Sequence, residues 1–517
     1  MSAVAAERGP PPPKLALFAL GLGFVVLALD SLMVAGAGPT IAGELHGVEL
    51  LGWLFTGALL MWTCTGPLFG KLADVYGRRP ILLVGLGVFS VGALIASQAP
   101  TMEQLIAARL VQGVGSAGVQ SACYTAGADL YPPPERAKAQ VLFSVVYLLG
   151  SLVAPPLTGV LIAEVSWRAI FLVTVALGVT ASICVWLALP EHVERQEHRL
   201  DLAGAAALIV GGGSLMLALA QGGRQGDWGA PSQLALYALG VIGTATFLWL
   251  ESRAPEPLVP LKMFHNRIIL GACVVILAMG AGLWSYSAFV PLLVQGVLGR
   301  SPFEASLVAL PSNTAWLVTN ILAVPLIWQW GYRVICLMGM ILLALGFVIL
   351  AFVGQDVPLA YEVVLLGMTI VGSGLGFVNT AAIVAVQNAV PWGERGTATA
   401  AGQFCRSFGP TMFISVLQAL LNGQVVAQLV ARGVAVDQLA TGASRTGQAN
   451  ALLAPELRAA LSPAVLENLR EALEVSLHQT FGLVAAVVAL GCLAVWLLPG
   501  GHPEAHVWRE QGAAARE

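Results

Sequence analysis

Long runs without a charged side chain are the feature that most limits how this chain can fold. Residues 50–70 form one such run, residues 80–98 form another, and the short segment between them is charged. A helix of ~20 apolar residues is long enough to cross a ~30 Å hydrocarbon core. Hydrophobic residues make up 57% of the chain. Charged residues make up 10%, against ~25% in soluble domains. The runs therefore predict membrane-spanning helices.

The whole pattern predicts an all-α integral membrane protein with fourteen spans. The predicted spans are residues 15–40, 50–70, 80–98, 105–128, 139–163, 169–189, 202–221, 231–250, 268–299, 305–330, 334–353, 363–389, 396–422 and 475–498. Lys and Arg are concentrated in alternate connections, beginning with the N-terminal segment. Cytoplasmic loops carry such an excess. We therefore expect a multi-pass protein of the inner (cytoplasmic) membrane with both termini in the cytoplasm.

Composition and motifs also exclude several function classes. The net charge of -3 gives no basic face for a nucleic acid. All seven cysteines fall inside predicted spans without metal-ligand spacing, so neither a metal site nor disulfides are expected. No phosphate-binding loop motif occurs, which disfavours an ATP-driven pump. The first run is too long for a signal peptide and contains Asp30. No nucleophile–base constellation is found, so we predict that the chain is not an enzyme.

An internal repeat organises the chain into two halves. Residues 132–151 resemble residues 391–410, and matching Pro, Glu, Arg and Gly residues are all separated by 259 positions. Gly113 and Gly115 match Gly372 and Gly374 at the same separation. Chance agreement among common residue types is the alternative. A duplication predicts two six-helix bundles with a binding site between them at the membrane midplane. This layout is typical of alternating-access transporters.

The predicted domain boundaries follow from this repeat. They are an N-terminal six-helix bundle at 1–189, a linker with two inserted spans at 190–265, a C-terminal bundle at 266–498 and a cytoplasmic tail at 499–517. The polar segment 423–474 within the C-terminal bundle is predicted to be an outer-face loop with a short amphipathic helix.

Several motifs resemble those of one transporter family. "GKLADVYGRRP" (70–80) looks like the loop between spans 2 and 3 of the major facilitator superfamily. "LIAARLVQGVGSAG" (105–118) resembles its span-4 motif, and "GSLVAPPLTG" (150–159) resembles its antiporter motif. Segments 29–45, 166–171 and 290–311 are similar to the fourteen-span drug/proton antiporters of multidrug efflux type. The resemblance implies the major facilitator fold, with two extra helices inserted between the six-helix bundles.

The sequence departs from this family pattern at identifiable positions. Ala154 and Thr158 stand where the antiporter motif normally has glycine. Some relatives carry acidic residues in spans 10 and 13, and this chain has none there, which disfavours export of polycations.

The charged segment at residues 66–83, here called the hinge, is predicted to be a cytoplasmic gate. Asp74 can accept hydrogen bonds from Arg78 and from a helix N-terminus, while Gly70 and Gly77 allow tight turning. The family resemblance adds Asp129 as a third member. The alternative is an orientation signal made by Lys71, Arg78 and Arg79, which leaves Asp74 unexplained. The second half has only "WQWGYR" (328–333) at the equivalent place, so we expect a one-sided gate.

Asp30 is the deepest acidic residue and the predicted proton carrier. It lies 16 residues beyond Lys14, or ~24 Å along a helix. A carboxylate at this depth must be protonated, paired or hydrated. The alternative is a permanently ionised Asp30 paired with Arg109 in span 4, and both states could alternate if protonation ends the pairing.

Span 5 combines Gly150, Pro155 and Gly159, which permit close packing and kinks. The resemblance implies that this antiporter motif packs against span 10 and limits proton leak, whereas ordinary membrane packing is the alternative.

Other aromatic and polar residues within spans are candidates for a substrate cavity. They are Tyr124, Trp284, Tyr286, Gln295, Asn313, Trp316, Asn320 and Arg406. Packing or interface roles remain alternatives, and Arg406 could bind either an anionic substrate or helix carbonyl groups.

Together these features predict proton-coupled efflux of small amphipathic compounds. The proton gradient supplies the energy and no cofactor is expected. The expected partners are the substrate, protons and the lipid bilayer, and the expected state is a monomer. The excess of Arg over Lys indicates a bacterial source. Export of a lipid or endogenous metabolite is the second reading, and a membrane receptor or scaffold that kept the transporter fold is a third.

Overall fold

Helices account for all the regular structure that is described. The structure is a computed structural model, and it describes residues 14–45, 50–130, 137–189, 202–225, 229–254, 261–390, 395–432 and 463–500. The all-α prediction is confirmed over these ranges, because every element within them is an α-helix or a short 3₁₀- or π-helix. The chain divides into two compact units. The first comprises Met1–Ile209, Phe247–Leu261 and Trp392–Phe404, and the second comprises the remaining ranges.

Six long helices lie in the first unit. They are α1 (Lys14–Glu44), α2 (Leu51–Tyr76), α3 (Arg78–Ser97), α4 (Met102–Asp129), α5 (Ala137–Glu164) and α6 (Arg168–Ala188). α4 packs against α2 and α3, while α1 packs against α5 and α6. Two apolar clusters fill this unit, one around Phe24, Leu82 and Phe89 and one around Met33, Leu54 and Phe171. α1 contributes to both clusters.

The remaining helices follow α6 in the chain. They are α7 (Leu202–Gln225), α8 (Pro231–Arg253), α9 (Arg267–Leu292), the short α10 (Pro302–Leu307), α11 (Ala309–Leu350), α12 (Ala360–Asn388), α13 (Arg395–Ala431) and α14 (Pro463–Ala494). α11 packs against α12 and α14 in the second unit, and α9 packs against the same two helices. α11 is broken at Gly331, whose φ of 83° is not helical.

The described boundaries extend the helices beyond two of the predicted spans. α13 continues to Ala431, and α14 begins at Pro463, so the predicted outer-face loop 423–474 is helical at both of its described ends. Pro463 suits a first helical position because its missing N–H would have no partner there. The amphipathic segment 463–477 therefore continues directly into the last span, and residues 433–462 lie outside the described residues.

Nine described helices are long and apolar enough to cross a membrane. This finding supports a multi-pass membrane protein, while the count of fourteen spans stays a prediction. α2, α4, α7 and α13 are not among the nine. α4 is less apolar because it carries Arg109 and Gln112. The apolar part of α7 is the short stretch Ala203–Leu219. Polar groups within membrane spans face the interior of a helix bundle. Helices in the interior therefore carry more of these groups and have a lower mean hydropathy.

The same close helix contact at a glycine occurs once within each unit. A Cβ atom added at Gly113 of α4 would overlap the carbonyl oxygen of Ala58 in α2. A Cβ atom added at Gly372 of α12 would overlap the carbonyl oxygen of Ser312 in α11 in the same way. Only glycine allows backbones to approach this closely.

A second glycine contact fixes the correspondence between the helices. A Cβ atom at Gly92 of α3 would lie 2.7 Å from the backbone nitrogen of Gln112, and one at Gly346 of α11 would lie 2.9 Å from that of Val371. Residues of α4 and α12 thus correspond at a separation of 259. Residues of α2–α3 and α11 correspond at a separation of 254. The repeated packing supports the predicted duplication.

Candidate functional site

A closed group of polar side chains lies inside the first unit. Arg109 donates hydrogen bonds to an oxygen of Asp30 at 2.6 Å and to the side-chain oxygen of Gln112 at 2.9 Å. The amide nitrogen of Gln112 donates to the other carboxylate oxygen of Asp30 at 3.1 Å. Arg109 also donates to the carbonyl oxygen of Leu54 at 3.3 Å. We call Asp30, Arg109 and Gln112 the buried triad.

The helices place the triad in an apolar environment. Arg109 and Gln112 are three residues apart on α4 and so share one helix face. Asp30 lies on α1, next to Leu29, which belongs to the apolar cluster around Met33 and Leu54. The side chains of Asp30 and Arg109 are each 5% exposed. Isolated charges at such a place would be costly, and mutual pairing with full hydrogen bonding offsets that cost.

The contacts of Asp30 show how a proton would change this group. In the observed geometry both carboxylate oxygens accept hydrogen bonds, as an ionised carboxylate does. A proton on Asp30 would cancel its charge and turn one oxygen into a donor, so its hydrogen bonds with Arg109 and Gln112 would have to change. The pairing of Asp30 with Arg109, which the sequence offered as the alternative to proton coupling, is present, and the proton-carrying role of Asp30 stays a prediction. Gln112 was missed by the sequence reasoning, although its position three residues after Arg109 was a usable signal.

The hinge connects α2 and α3 through one glycine. Gly77 has φ 96° and ψ 157°, a region that a residue with a side chain rarely adopts. Arg78 forms an ion pair with Asp129 at the end of α4, with a distance of 3.1 Å, and donates to the carbonyl oxygen of Ala73 at 2.6 Å. Arg79 donates to the carbonyl oxygen of Trp186 near the end of α6 at 2.5 Å. The hinge therefore joins α4 and α6 to the α2–α3 turn.

Some hinge residues lie outside what can be tested. Gly70 is buried within α2, and the backbone of Asp74 lies in the last turns of the same helix. The side chain of Asp74 lies outside the described residues, so its predicted hydrogen bond to Arg78 stays a prediction. The ion pair between Arg78 and Asp129 is the part of the predicted gate that the structure brings together.

The antiporter motif of α5 faces α1 within the first unit. A Cβ atom at Gly150 would lie 3.1 Å from the Cβ atom of Ala28, and Thr158 packs against Gly36. The hydroxyl of Thr158 donates to the carbonyl oxygen of Ala154 at 2.7 Å. Glycine on α1 thus leaves room for the threonine that departs from the family motif. Gly159 has open space around its Cα atom, and the side chain of Pro155 lies outside the described residues.

Two of the predicted cavity residues, Tyr124 and Asn320, make specific contacts within their own units. Tyr124 packs edge-on against Phe24 and Phe143, with ring centroids 5.6 and 5.1 Å apart, and is 9% exposed. In the second unit, Thr380 donates to the side-chain oxygen of fully buried Asn320 at 2.6 Å. Tyr124 is thus part of an aromatic cluster, whereas Asn320 joins α11 to α12.

One polar pair of the first unit, Trp62 with Gln120, has counterpart residues in the second unit. In the first unit the indole of Trp62 donates to the side-chain oxygen of Gln120 at 3.0 Å, a contact that sequence reasoning missed. The 254 and 259 separations make Trp316 the counterpart of Trp62 and Asn379 the counterpart of Gln120. The side-chain oxygen of Asn379 is buried and has no hydrogen-bond partner among the described residues. Trp316 packs against Gly376, one turn before Asn379.

The other candidate residues of the second unit lie on three elements. Trp284 and Tyr286 lie on α9, where Trp284 is half-buried and Tyr286 is buried, and Gln295 lies half-buried in the π-helical turn Leu293–Val297. Asn313 on α11 is 6% exposed, and its side-chain oxygen also has no hydrogen-bond partner among the described residues. Arg406 on α13 is half-buried. These positions provide aromatic groups, uncharged polar groups and the one guanidinium group of Arg406.

Comparison with protein families decides what class of protein this is. The sequence model of the Major Facilitator Superfamily matches residues 20–414. The chain belongs to the major facilitator superfamily. It is therefore a multi-pass membrane transporter, and the prediction that it is not an enzyme is confirmed.

Relatives of this chain carry names that refer to multidrug transport, multidrug resistance or efflux. The chain is 31% identical to the multidrug transporter protein MdtP of Bacillus subtilis over 90% of this chain and 89% of that protein. It is 26% identical to multidrug resistance protein 3 of the same organism, over 93% and 94% of the two chains. It is also 27% identical to the MFS-type efflux pump LUC4 of a Fusarium species, over 93% and 89%.

Solved structures show the same fold at low sequence identity. The human organic anion transporter MFSD10 matches 94% of this chain and 100% of its own chain, with a TM-score of 0.59 at 15% identity. The proton:xylose symporter XylE matches 97% and 98%, with a TM-score of 0.60 at 14% identity. These matches establish the major facilitator fold of the chain.

Proposed function

We propose that this superfamily member exports small amphipathic compounds across the cytoplasmic membrane in exchange for protons. The buried triad carries the proposal. Asp30 is a carboxylate inside an apolar six-helix unit, and its two oxygens accept hydrogen bonds from Arg109 and Gln112. A transporter driven by a proton gradient needs an acid whose protonation changes its contacts, and Asp30 has such contacts.

The proposed cycle begins with a proton that reaches Asp30 from outside. It binds to a carboxylate oxygen, the attraction between Asp30 and Arg109 falls, and α1 and α4 lose one of their contacts. When the chain opens to the cytoplasm, the proton leaves Asp30 and the pair with Arg109 re-forms. One proton thus moves inward while one substrate molecule moves outward.

Residues of the second unit support the proposed substrate class. Its buried polar groups include the amide oxygens of Asn313 and Asn379, and the same unit contains half-buried Trp316 and buried Tyr286. Aromatic surface with a few uncharged acceptors suits apolar compounds that carry hydrogen-bond donors. The names of the bacterial relatives refer to multidrug transport and resistance, which supports a broad substrate range.

We also propose fourteen spans, with both termini and the hinge in the cytoplasm. α11 has 42 residues, or ~63 Å at 1.5 Å per residue, about twice the thickness of the hydrocarbon core. Its break at Gly331 suits two consecutive spans, 309–330 and 332–350. The distribution of Lys and Arg supports the orientation.

A proteoliposome experiment tests the coupling. The purified chain is reconstituted with a pH dye inside the vesicles, and a panel of neutral and cationic amphipathic dyes is added. We expect substrate-dependent proton movement with the wild-type chain and none with Asp30→Asn, because the amide cannot take up the proton. Glu103→Gln is the matched control, since Glu103 is an exposed acid on α4.

The outcomes separate the competing functions. Wild-type coupling in folded Asp30→Asn would contradict the role of Asp30. Proton movement that responds only to lipids or cell metabolites, and to none of the dyes, would identify a lipid or metabolite exporter. If folded wild-type protein gives no flux of substrate or protons, a receptor or scaffold becomes the better reading.

A further inference from the structure

The backbone of the hinge is repeated in the second unit. Among the described residues, three glycines have positive φ, namely Gly77, Gly299 and Gly331. Gly331 follows Gly77 by 254 positions, the separation that relates α2–α3 to α11. Its φ and ψ of 83° and 167° are close to the 96° and 157° of Gly77. The two units thus make the same turn between corresponding helices.

An arginine two positions after each glycine has the same kind of partner. Arg79 donates to the carbonyl oxygen of Trp186 near the end of α6. Its counterpart Arg333 donates to the carbonyl oxygens of Leu498 at 2.7 Å and Trp496 at 3.1 Å, just after α14. The last carbonyl groups of a helix have no helical partners and attract cations. In each unit, therefore, the arginine joins the turn to the end of the last helix.

The residue between the glycine and the arginine differs in the two units. Arg78 pairs with Asp129, and the counterparts of these two residues are Tyr332 and Asn388. The side-chain amide of Asn388 donates to the hydroxyl oxygen of Tyr332 at 2.8 Å. The same two positions that form an ion pair in the first unit thus form a neutral hydrogen bond in the second.

The two contacts differ in their exposure to solvent. The side chains of Arg78 and Asp129 are 27% and 43% exposed, so salt screens their attraction. Tyr332 is 1% exposed, and its hydrogen bond involves no charge. The contact between Tyr332 and Asn388 should accordingly be insensitive to salt.

We propose that Tyr332 and Asn388 form a second gate contact, which holds the end of α12 against the second arm of α11, the part of that helix after Gly331 (residues 332–350). This proposal differs from the one-sided gate expected from "WQWGYR" (328–333), which stays an untested prediction. The ion pair is confined to the first unit, because a phenol and an amide replace Arg78 and Asp129 in the second. The role of this contact in transport rests on the proposed function, whereas its effect on local opening does not.

Hydrogen exchange of the full-length chain in detergent or nanodiscs tests this contact. Tyr332→Phe removes the hydroxyl group and keeps the ring. We expect amide exchange in segments 332–336 and 384–388 to become about two- to tenfold faster, the effect of losing one hydrogen bond. The increase should be the same at about 0.05 M and 0.5 M salt, whereas opening around Arg78 and Asp129 should grow with salt. Unchanged exchange in both segments would overturn the proposal.

Matched variants separate this contact from general damage. Tyr361→Phe is the control, because Tyr361 donates its hydroxyl to the carbonyl oxygen of Glu304 elsewhere in the same unit. It should leave both segments unchanged. Asn388→Asp should keep their protection, since the phenol can donate to the carboxylate, and Asn388→Leu should lose it. Equal exchange in the Asp and Leu variants would also count against the contact.

Transport is then measured on the same variants. Slower dye efflux by Tyr332→Phe, with wild-type efflux by Tyr361→Phe, would link the contact to the transport cycle. Faster exchange without any change in efflux would contradict its gating role. If the wild-type chain transports none of the dyes, the proposed function fails, but the exchange measurements still decide whether the contact restrains α11 and α12.

Discussion

Arg109 on α4 donates a 2.6 Å hydrogen bond to Asp30 on α1, and both residues are 4% exposed. Gln112 donates to the second oxygen of the same carboxylate, so each oxygen accepts a hydrogen bond from α4. A pair of this kind is costly to break, because either partner would be left as an isolated charge in an apolar unit. The proposed transport cycle releases the pair through a proton on Asp30.

Gln112 should contribute to stability through its hydrogen bond to Asp30. Gln112→Leu leaves one buried carboxylate oxygen with fewer donors, which costs about 1–3 kcal/mol of unfolding free energy. Gln104→Leu is the control, because Gln104 is exposed on the same helix. Thermal unfolding of both variants in the same detergent measures the effect. Equal midpoints for the two variants would contradict the structural importance of the triad.

The ion pair between Arg78 and Asp129 should keep the hinge closed. In Asp129→Asn we expect normal expression, slower efflux and faster reaction of a cysteine placed at Tyr76, which is 54% exposed and next to Gly77. High salt should produce part of the same effect in the wild-type chain, because it screens exposed pairs. The thiol reaction is followed by mass shift. Normal efflux by Asp129→Asn would return the hinge to an orientation signal.

Glycine contacts between helices should be intolerant of a methyl group. Gly113→Ala would drive its Cβ atom into the carbonyl oxygen of Ala58, so we expect a loss of at least about 1–3 kcal/mol. Gly87→Ala on α3 meets no atom within 4 Å and should stabilise its helix by up to about 1 kcal/mol. Gly372→Ala and Gly482→Ala provide the same comparison in the second unit. Unfolding midpoints that do not separate the two members of each pair would contradict the observed packing.

Cysteine labelling checks the orientation of the hinge. On a cysteine-free background, Gln355→Cys and Tyr76→Cys both place a thiol at an exposed position. We expect an impermeant reagent added to intact cells to modify position 355, which follows the second arm of α11, and not position 76. Both should react after the cells are opened. The reverse pattern would overturn the proposed topology and the direction of transport.

Sequence alone determined the membrane class, indicated the superfamily through its motifs, and offered the pairing of Asp30 with Arg109 as one of two alternatives. These follow from local or strongly constrained features. An uncharged run of ~20 residues has few other uses. A charge within such a run needs a partner. The repeat was also visible, because a constant separation of 259 relates glycines that touch a neighbouring helix.

Only the tertiary structure decided which side chains complete each contact. Gln112 is one of many polar residues in the chain, and it becomes part of the triad because α1 lies against its face of α4. The neutral contact of Tyr332 with Asn388 could not be read from a charge pattern, since neither residue carries a charge. Hydrogen bonds between helices depend on distances of about 3 Å. Such distances are set by how whole helices pack, and glycines at their contacts set that packing here.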